Sequence, residues 1–266
     1  MIRRASATVD GQAAGPNVTM LKSLCHALAF ATVALVGGGA SSQSPTRSSP
    51  LMVIELFTSQ GCSSCPAADV VFKSYAARRD LVALSMSVDY WDYLGWKDTL
   101  ASPKFSKRQR AYAQARGDGQ VYTPQVVVNG RDHVVGSSKG DIEAALKAHA
   151  AKPSALTLAA GLEKGTITIN IGQASDVVPE MTVWLAVVQS EANIDVKAGE
   201  NRGRKLTYFN VVRDLVPAGM WSGATTTIRQ SASALSSGAN QRFAVLVQRG
   251  TGGPIVAATW VDAPTN

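Results

Sequence analysis

The feature that most constrains this chain is an apolar run that stops in a turn carrying two cysteines. Leu51 to Phe57 is apolar except for Glu55, and Thr58-Ser59-Gln60-Gly61 then leads into Cys62-Ser63-Ser64-Cys65-Pro66. A short run with so little polarity reads as a strand buried on both faces. A helix-compatible segment, Ala67 to Arg79, follows at once, with Val70, Val71 and Tyr75 near helical spacing. The pattern predicts a strand feeding a helix whose first turn holds both thiols. Unpaired N–H groups and the positive end of the macrodipole at that point favour a thiolate. Cys62, the outer sulfur, is therefore the expected nucleophile, and Cys65, one turn deeper, the expected resolving thiol.

Whether such a pair is redox-active depends on the compartment. From Met20 the chain reads Lys22, an apolar stretch Leu24 to Val36, then Gly37-Gly38-Gly39-Ala40 and a Ser/Pro-rich segment. This is the anatomy of a secretory signal, and the run is shorter than the ~20 residues a membrane span needs. Residues 1–40 are thus expected to be a signal region and 41–50 a flexible leader. The mature protein is expected to be secreted, in the periplasm, without stable membrane insertion. Cys25 would leave with the signal, so Cys62 and Cys65 would remain alone where disulfides persist. A loop this short constrains the unfolded chain little, which favours a redox role over a structural one. Zinc needs four ligands, and His133 and His149, read as surface residues, fall in no second paired motif. No cofactor is expected, although a transient copper(I) site on the two thiolates stays open. The formal charge of +7 sits in no long basic run, so nucleic acid is not an expected partner.

Further along, Leu81–Val88 reads as a second buried strand. Lys104–Arg116 reads as a helix with Phe105 and Tyr112 inward and Lys107, Arg108, Arg110 and Arg116 mostly exposed. Gln125–Val128 and His133–Val135 form a hairpin across Asn129-Gly130. Asp141–His149 is a helix with Ser137 or Ser138 near its N-cap. The order is β-α-β-α-β-β-α, an α/β unit over residues 51–152. Past Lys152-Pro153 the pattern turns to alternating β-branched segments: Ala155–Ala159, Thr166–Ile171, Thr182–Gln189, Lys205–Leu215, Ala224–Gln230, Arg242–Gln248 and Ile255–Trp260. Residues 153–266 are therefore expected to form a small antiparallel, sandwich-like β domain.

The C-x-x-C at a strand-to-helix junction, Thr123-Pro124 before the third strand, and the acid Glu55 together resemble the thioredoxin fold over residues 51–150. The resemblance implies a cis Pro124 facing the thiols and, with Thr123, orienting an extended substrate. It also implies a role for Glu55 as a buried acid exchanging a proton with Cys65, pairing with a basic side chain being the alternative. Two departures stand out: Thr58–Gly61 replaces the aromatic-rich approach of thioredoxin, and Glu55 lies one residue further upstream than the usual acid. The Glu55–Pro66 string, Val88–Trp96, Tyr122–Gln125, Glu200–Arg204 and Asn210–Arg213 are similar to a secreted bacterial family of unknown function. In that family a thioredoxin-like domain precedes a smaller β domain. Tyr90 and Trp91, with Tyr93 and Trp96, either wall a substrate groove beside Cys62 or form a packed lid. The Glu200–Lys205 stretch reads as a solvated hairpin loop, with anion binding or contact to the redox unit as alternatives. The expected function is thiol–disulfide oxidoreduction on a protein or small-molecule substrate. A non-enzymatic copper- or partner-binding module and a scaffold with a permanent disulfide are the alternatives.

Overall fold

The first apolar run forms β1 (Met52–Thr58), buried along all but its first residue. The structure is a computed structural model and describes residues 51–150, 156–235 and 241–262. The expected signal region, the leader and the Lys152-Pro153 boundary lie outside the described residues. After β1 come α1 (Cys65–Ala76), β2 (Leu81–Ser87), α2 (Pro103–Arg116), β3 (Gln125–Val128), β4 (Asp132–Val135) and α3 (Lys139–Ala150). The rest is mostly β: β5 (Leu158–Glu163), β6 (Thr166–Ile171), β7 (Met181–Asp195), β8 (Lys205–Trp221), β9 (Thr226–Ser231), a short α4 (Ala232–Leu235), β10 (Gln241–Arg249) and β11 (Ile255–Trp260). No helix among the described residues is long and apolar enough to cross a membrane.

Eight strands form one mixed sheet in the order β11-β10-β7-β8-β2-β1-β3-β4. β1 is central, parallel to β2 and antiparallel to β3. Period-two alternation divides its side chains between two cores. Ile54 and Leu56 pack with Ala68, Phe72 and Tyr75 of α1, whereas Val53 and Phe57 pack with Phe105 and Tyr112 of α2. The stripe that α1 buries is Cys65, Ala68, Asp69, Phe72 and Tyr75. That corrects the expected face, since Val70 is 75 % exposed. A charged residue inside the stripe is what disguises it in the sequence.

The β-rich half departs from a free-standing sandwich. β7, β8, β10 and β11 extend the large sheet, and only β5, β6 and β9 form a separate three-stranded sheet. That small sheet buries Leu158, Ile167 and Ile169 against Val183, Leu185, Val245 and Val247 of the large one. Among the described residues β2 meets β8 at the single pair Ser85↔Val211, and bonds from the Leu51 N–H to the Ala258 carbonyl and from the Ile255 N–H to the Asn129 carbonyl also join the halves. Asn210 reinforces the β2–β8 junction. With φ +48° it adopts the left-handed conformation that asparagine tolerates best after glycine. Its Nδ2 donates to the carbonyls of Ala76, the last residue of α1, and Ala83 in β2, at 3.2 and 3.1 Å.

Candidate functional site

Cys65 is the first residue of α1, and Cys62 lies in the turn before it rather than in the helix itself. Cys62 accepts the Cys65 N–H at its carbonyl, 3.2 Å away, which closes the turn. Pro66 follows at a first-turn position, where no intrahelical acceptor is lost. The two sulfurs are joined in a disulfide, with Cα atoms 5.4 Å apart. In that state neither offers a thiolate to a metal. The Thr123–Pro124 peptide is cis, and Cys62 Sγ lies 3.8 Å from the Thr123 carbonyl oxygen. Ser63 and Ser64 are exposed, but Cys62 is only 2 % exposed and Cys65 fully buried.

The cover over Cys62 comes from two segments. Trp91 lies against the turn: a Cβ on Gly61 would sit 3.1 Å from Trp91 Cβ, so glycine is what permits the approach. Its indole Nε1 donates to Thr123 Oγ1 at 2.8 Å, joining the aromatic loop to the cis-peptide segment. Trp91 stacks on Tyr93, and Tyr90 donates its hydroxyl to Gln109 Oε1. The second segment is the tip of the β7–β8 hairpin, where Asn201 donates to the carbonyls of Gln60 and Cys62. The aromatic loop thus packs against the cysteine turn and the Thr123 segment. Glu200 and Asn201 bond the cysteine turn, while Arg202, Gly203 and Arg204 of the same tip are exposed, as expected of a solvated loop.

Glu55 sits elsewhere. It shares the α2-facing side of β1 with Val53 and Phe57, across the sheet from the helix that carries Cys65. Arg108 Nε donates to Glu55 Oε1 at 2.8 Å, and the Tyr112 hydroxyl donates to Oε2. Gln248, from β10, accepts from Arg108 Nη1 at 2.9 Å and donates to the Tyr112 hydroxyl at 3.1 Å. Burial pushes that hydroxyl well above the ordinary phenol range. Arg108, expected at the surface, is buried to meet Glu55, and two polar side chains complete the network. The geometry supports the structural pairing of Glu55 over a proton exchange with Cys65.

The acid on the cysteine side is Asp69, which the sequence reading missed. It lies four residues after Cys65 on the buried stripe of α1, and residues at that spacing are neighbours on a helix surface. Thr58, at the end of β1, donates its hydroxyl to Asp69 Oδ1 at 3.0 Å, while Oδ2 is buried with no hydrogen-bond partner among the described residues. Burial pushes the carboxyl up to about 8, against the opposing effect of the Thr58 bond. Tyr208 of β8 is near enough for Asp69 to act on it electrostatically, and its buried hydroxyl is likewise unpartnered among the described residues. A second missed acid, Asp98, accepts the Gln60 and Leu100 N–H groups, each at 2.8 Å. Burial raises it to about 6. Gln109 is the third omission: it donates to the Tyr122 carbonyl and to Gln125 Oε1, steadying the approach to Pro124. The signal for Asp69 was present as a carboxylate at i+4 from a cysteine; Gln109 left none.

The two histidines also have partners. His133 Nδ1 meets the Tyr122 hydroxyl at 2.8 Å, and His149 Nε2 meets Asp132 Oδ2 at 2.7 Å. Among the described residues no three His, Cys, Asp or Glu side chains group in a way that could hold a metal ion.

The sequence profile of a family described as "Protein of unknown function (DUF1223)" matches residues 53–248. The crystal structure of a protein from Agrobacterium tumefaciens is similar, with 36 % identity, a TM-score of 0.69, and coverage of 79 % of this chain and 93 % of that one. HBP35 of Porphyromonas gingivalis is similar in fold at 13 % identity, with a TM-score of 0.60 and coverage of 83 % of this chain and 79 % of that one. No curated protein matches.

Proposed function

The chain belongs to the DUF1223 family of unknown function, and we propose that this member is an exported thiol–disulfide oxidoreductase with a thioredoxin-like redox unit. The observation that carries the reading is the Cys62–Cys65 disulfide set beside the cis Thr123–Pro124 segment, with Cys62 Sγ 3.8 Å from the Thr123 carbonyl. The element order of residues 52–150, β-α-β-α-β-β-α with α1 starting at Cys65, supports a thioredoxin-like assignment. The signal-like segment before residue 41 supports a periplasmic location, where such a pair can cycle.

In the reducing direction the Cys62 thiolate attacks one sulfur of a substrate disulfide. The substrate S–S bond breaks, a Cys62–substrate bond forms, and the first substrate thiolate leaves. The Cys65 thiol then passes its proton to Asp69 in the fraction of molecules in which that carboxyl is ionised, and attacks Cys62 Sγ. This closes the Cys62–Cys65 bond and releases the second substrate thiolate. The oxidising direction runs the same steps backward, with Asp69 returning the proton. An acid held at about 8 lies close to the ordinary thiol value, the condition under which proton transfer between them is efficient in both directions. The Thr123 backbone aligns the substrate, and access to Cys62 requires Trp91 and the hairpin tip to part.

The test is direct. Cys65→Ser should trap a mixed disulfide on Cys62 with a peptide disulfide, detected by mass, and Cys62→Ser should abolish exchange. A purified protein that neither oxidises a dithiol nor reduces a disulfide, with no adduct on Cys65→Ser, removes the reading.

A further inference from the structure

The hairpin between β7 and β8 reaches across the molecule to hold the cysteine turn. Asn201, 1 % exposed, donates from one amide nitrogen to the carbonyls of Gln60 and Cys62, each at 2.9 Å. Beside it, Glu200 Oε2 accepts the Ser63 N–H at 3.1 Å. The tip needs glycine at Gly199, where φ is +73° and a Cβ would sit 3.2 Å from Trp96 Cβ. Ser63 supplies the first amide after Cys62, at the mouth of α1. Free amides there are the groups that stabilise a sulfur anion. In this structure that amide is taken, and a carboxylate stands in the place where positive potential is needed.

We propose that the hairpin tip is a working part of the redox site: Asn201 fixes the turn, and Glu200 disfavours the Cys62 thiolate, so that the pair is tuned toward the disulfide. The proposal rests on the oxidoreductase reading and adds its direction. Reduction by glutathione consumes two glutathione thiols, breaks the Cys62–Cys65 bond and yields one glutathione disulfide and two protein thiols. A less acidic Cys62 leaves the reduced form less stabilised, and the equilibrium moves toward the protein disulfide. Arg204, donating to Asn201 Oδ1 at 3.2 Å, brings charge of the opposite sign to the far side of Asn201. With Glu200 neutralised, Arg204 acts alone and the thiol becomes more acidic still.

The experiment uses the full chain, since Glu200 is exposed and its replacement leaves the core intact. After reduction with a phosphine, the rate of Cys62 alkylation is followed against pH for wild type, Glu200→Gln and Glu200→Asp, and each protein is then equilibrated with glutathione. Glu200→Gln should make Cys62 about three- to tenfold more acidic and shift the glutathione equilibrium toward the dithiol by a similar factor. Glu200→Asp should fall between it and wild type. In molar salt, where the Debye length is about 3 Å, the difference should shrink. Profiles for Glu200→Gln within about twofold of wild type, or a shift that salt does not reduce, overturn the proposal. If glutathione fails to exchange with the wild-type pair, the oxidoreductase reading fails, and the alkylation profiles alone still decide what Glu200 does.

Discussion

Two carboxylates are sealed inside this protein on opposite faces of the same strand, and their surroundings could hardly differ more. Glu55 accepts from a guanidinium and a phenol, and those donors are themselves satisfied by Gln248. Asp69 has one hydroxyl on one oxygen and nothing among the described residues on the other. A buried acid with a full set of donors is held in place and serves the fold. A buried acid left short of donors holds a proton it can give up, and Asp69 does so one helical turn from the sulfur that the proposed exchange would deprotonate. The lesson is that burial marks both acids, while the completeness of the hydrogen bonding separates them.

That contrast can be broken in several ways. Glu55→Gln leaves Arg108 buried without its counter-charge and should cost about 3–5 kcal/mol, read from the midpoint of urea denaturation. The pH profile of thiol exchange should stay as in wild type, and a changed profile with unchanged stability would reverse the roles of the two acids. Asp69→Asn should do the opposite, slowing resolution of the Cys62 mixed disulfide about a hundredfold at neutral pH, the low end for a positioned acid–base group. Stopped-flow release of a chromogenic thiol measures it, and a rate unchanged from wild type removes Asp69 from the reaction. Asn201→Ala strands the buried Gln60 carbonyl, takes one of two donors from the Cys62 carbonyl, and should cost about 1–3 kcal/mol. Trp91→Phe loses the bond to Thr123 Oγ1, about 1 kcal/mol, and its main sign should be faster alkylation of Cys62.

Stability against pH sharpens the same point. The folded Asp69 carboxyl titrates at about 8 against an ordinary value of 3.8, so between these limits the folded chain carries a proton that the unfolded chain has released. Its contribution is fully present below about pH 4 and is lost as pH rises through about 8. Asp98, raised to about 6, acts in the same sense over a narrower range. Asp69→Asn should therefore flatten the decline in melting temperature between about pH 4 and pH 8. An unaltered slope would mean that Asp69 is ionised in the native protein.

Much of the α/β half was legible in the sequence because its signals are local. The cysteine turn, the Asn129-Gly130 reversal and the alternation of runs each follow from a few adjacent residues, and both turn residues do take positive φ. What escaped was long-range. Whether Arg108 faces water or Glu55 depends on which face of β1 packs against α2, and a run apolar on both faces gives no sign of that. Asp69 disappeared for the converse reason: a polar residue in a helical stripe reads as a break in the stripe. The destination of Asn201, 139 residues from its acceptor at Cys62, is written in no local pattern. The same holds for the sheet, whose β7–β8 strands carry ordinary alternation that does not say which edge they will join.

That edge has a practical meaning. Among the described residues the Ser85↔Val211 pair and the Asn210 side chain stitch β8 to β2, and Trp260 Nε1, donating to the Leu81 carbonyl, helps cover the flank of β2 at its start. A chain cut short after α3 would present that flank, apolar apart from its serines, as an open template for other strands. Excising the cysteine-bearing half should therefore yield aggregates rather than a smaller folded protein.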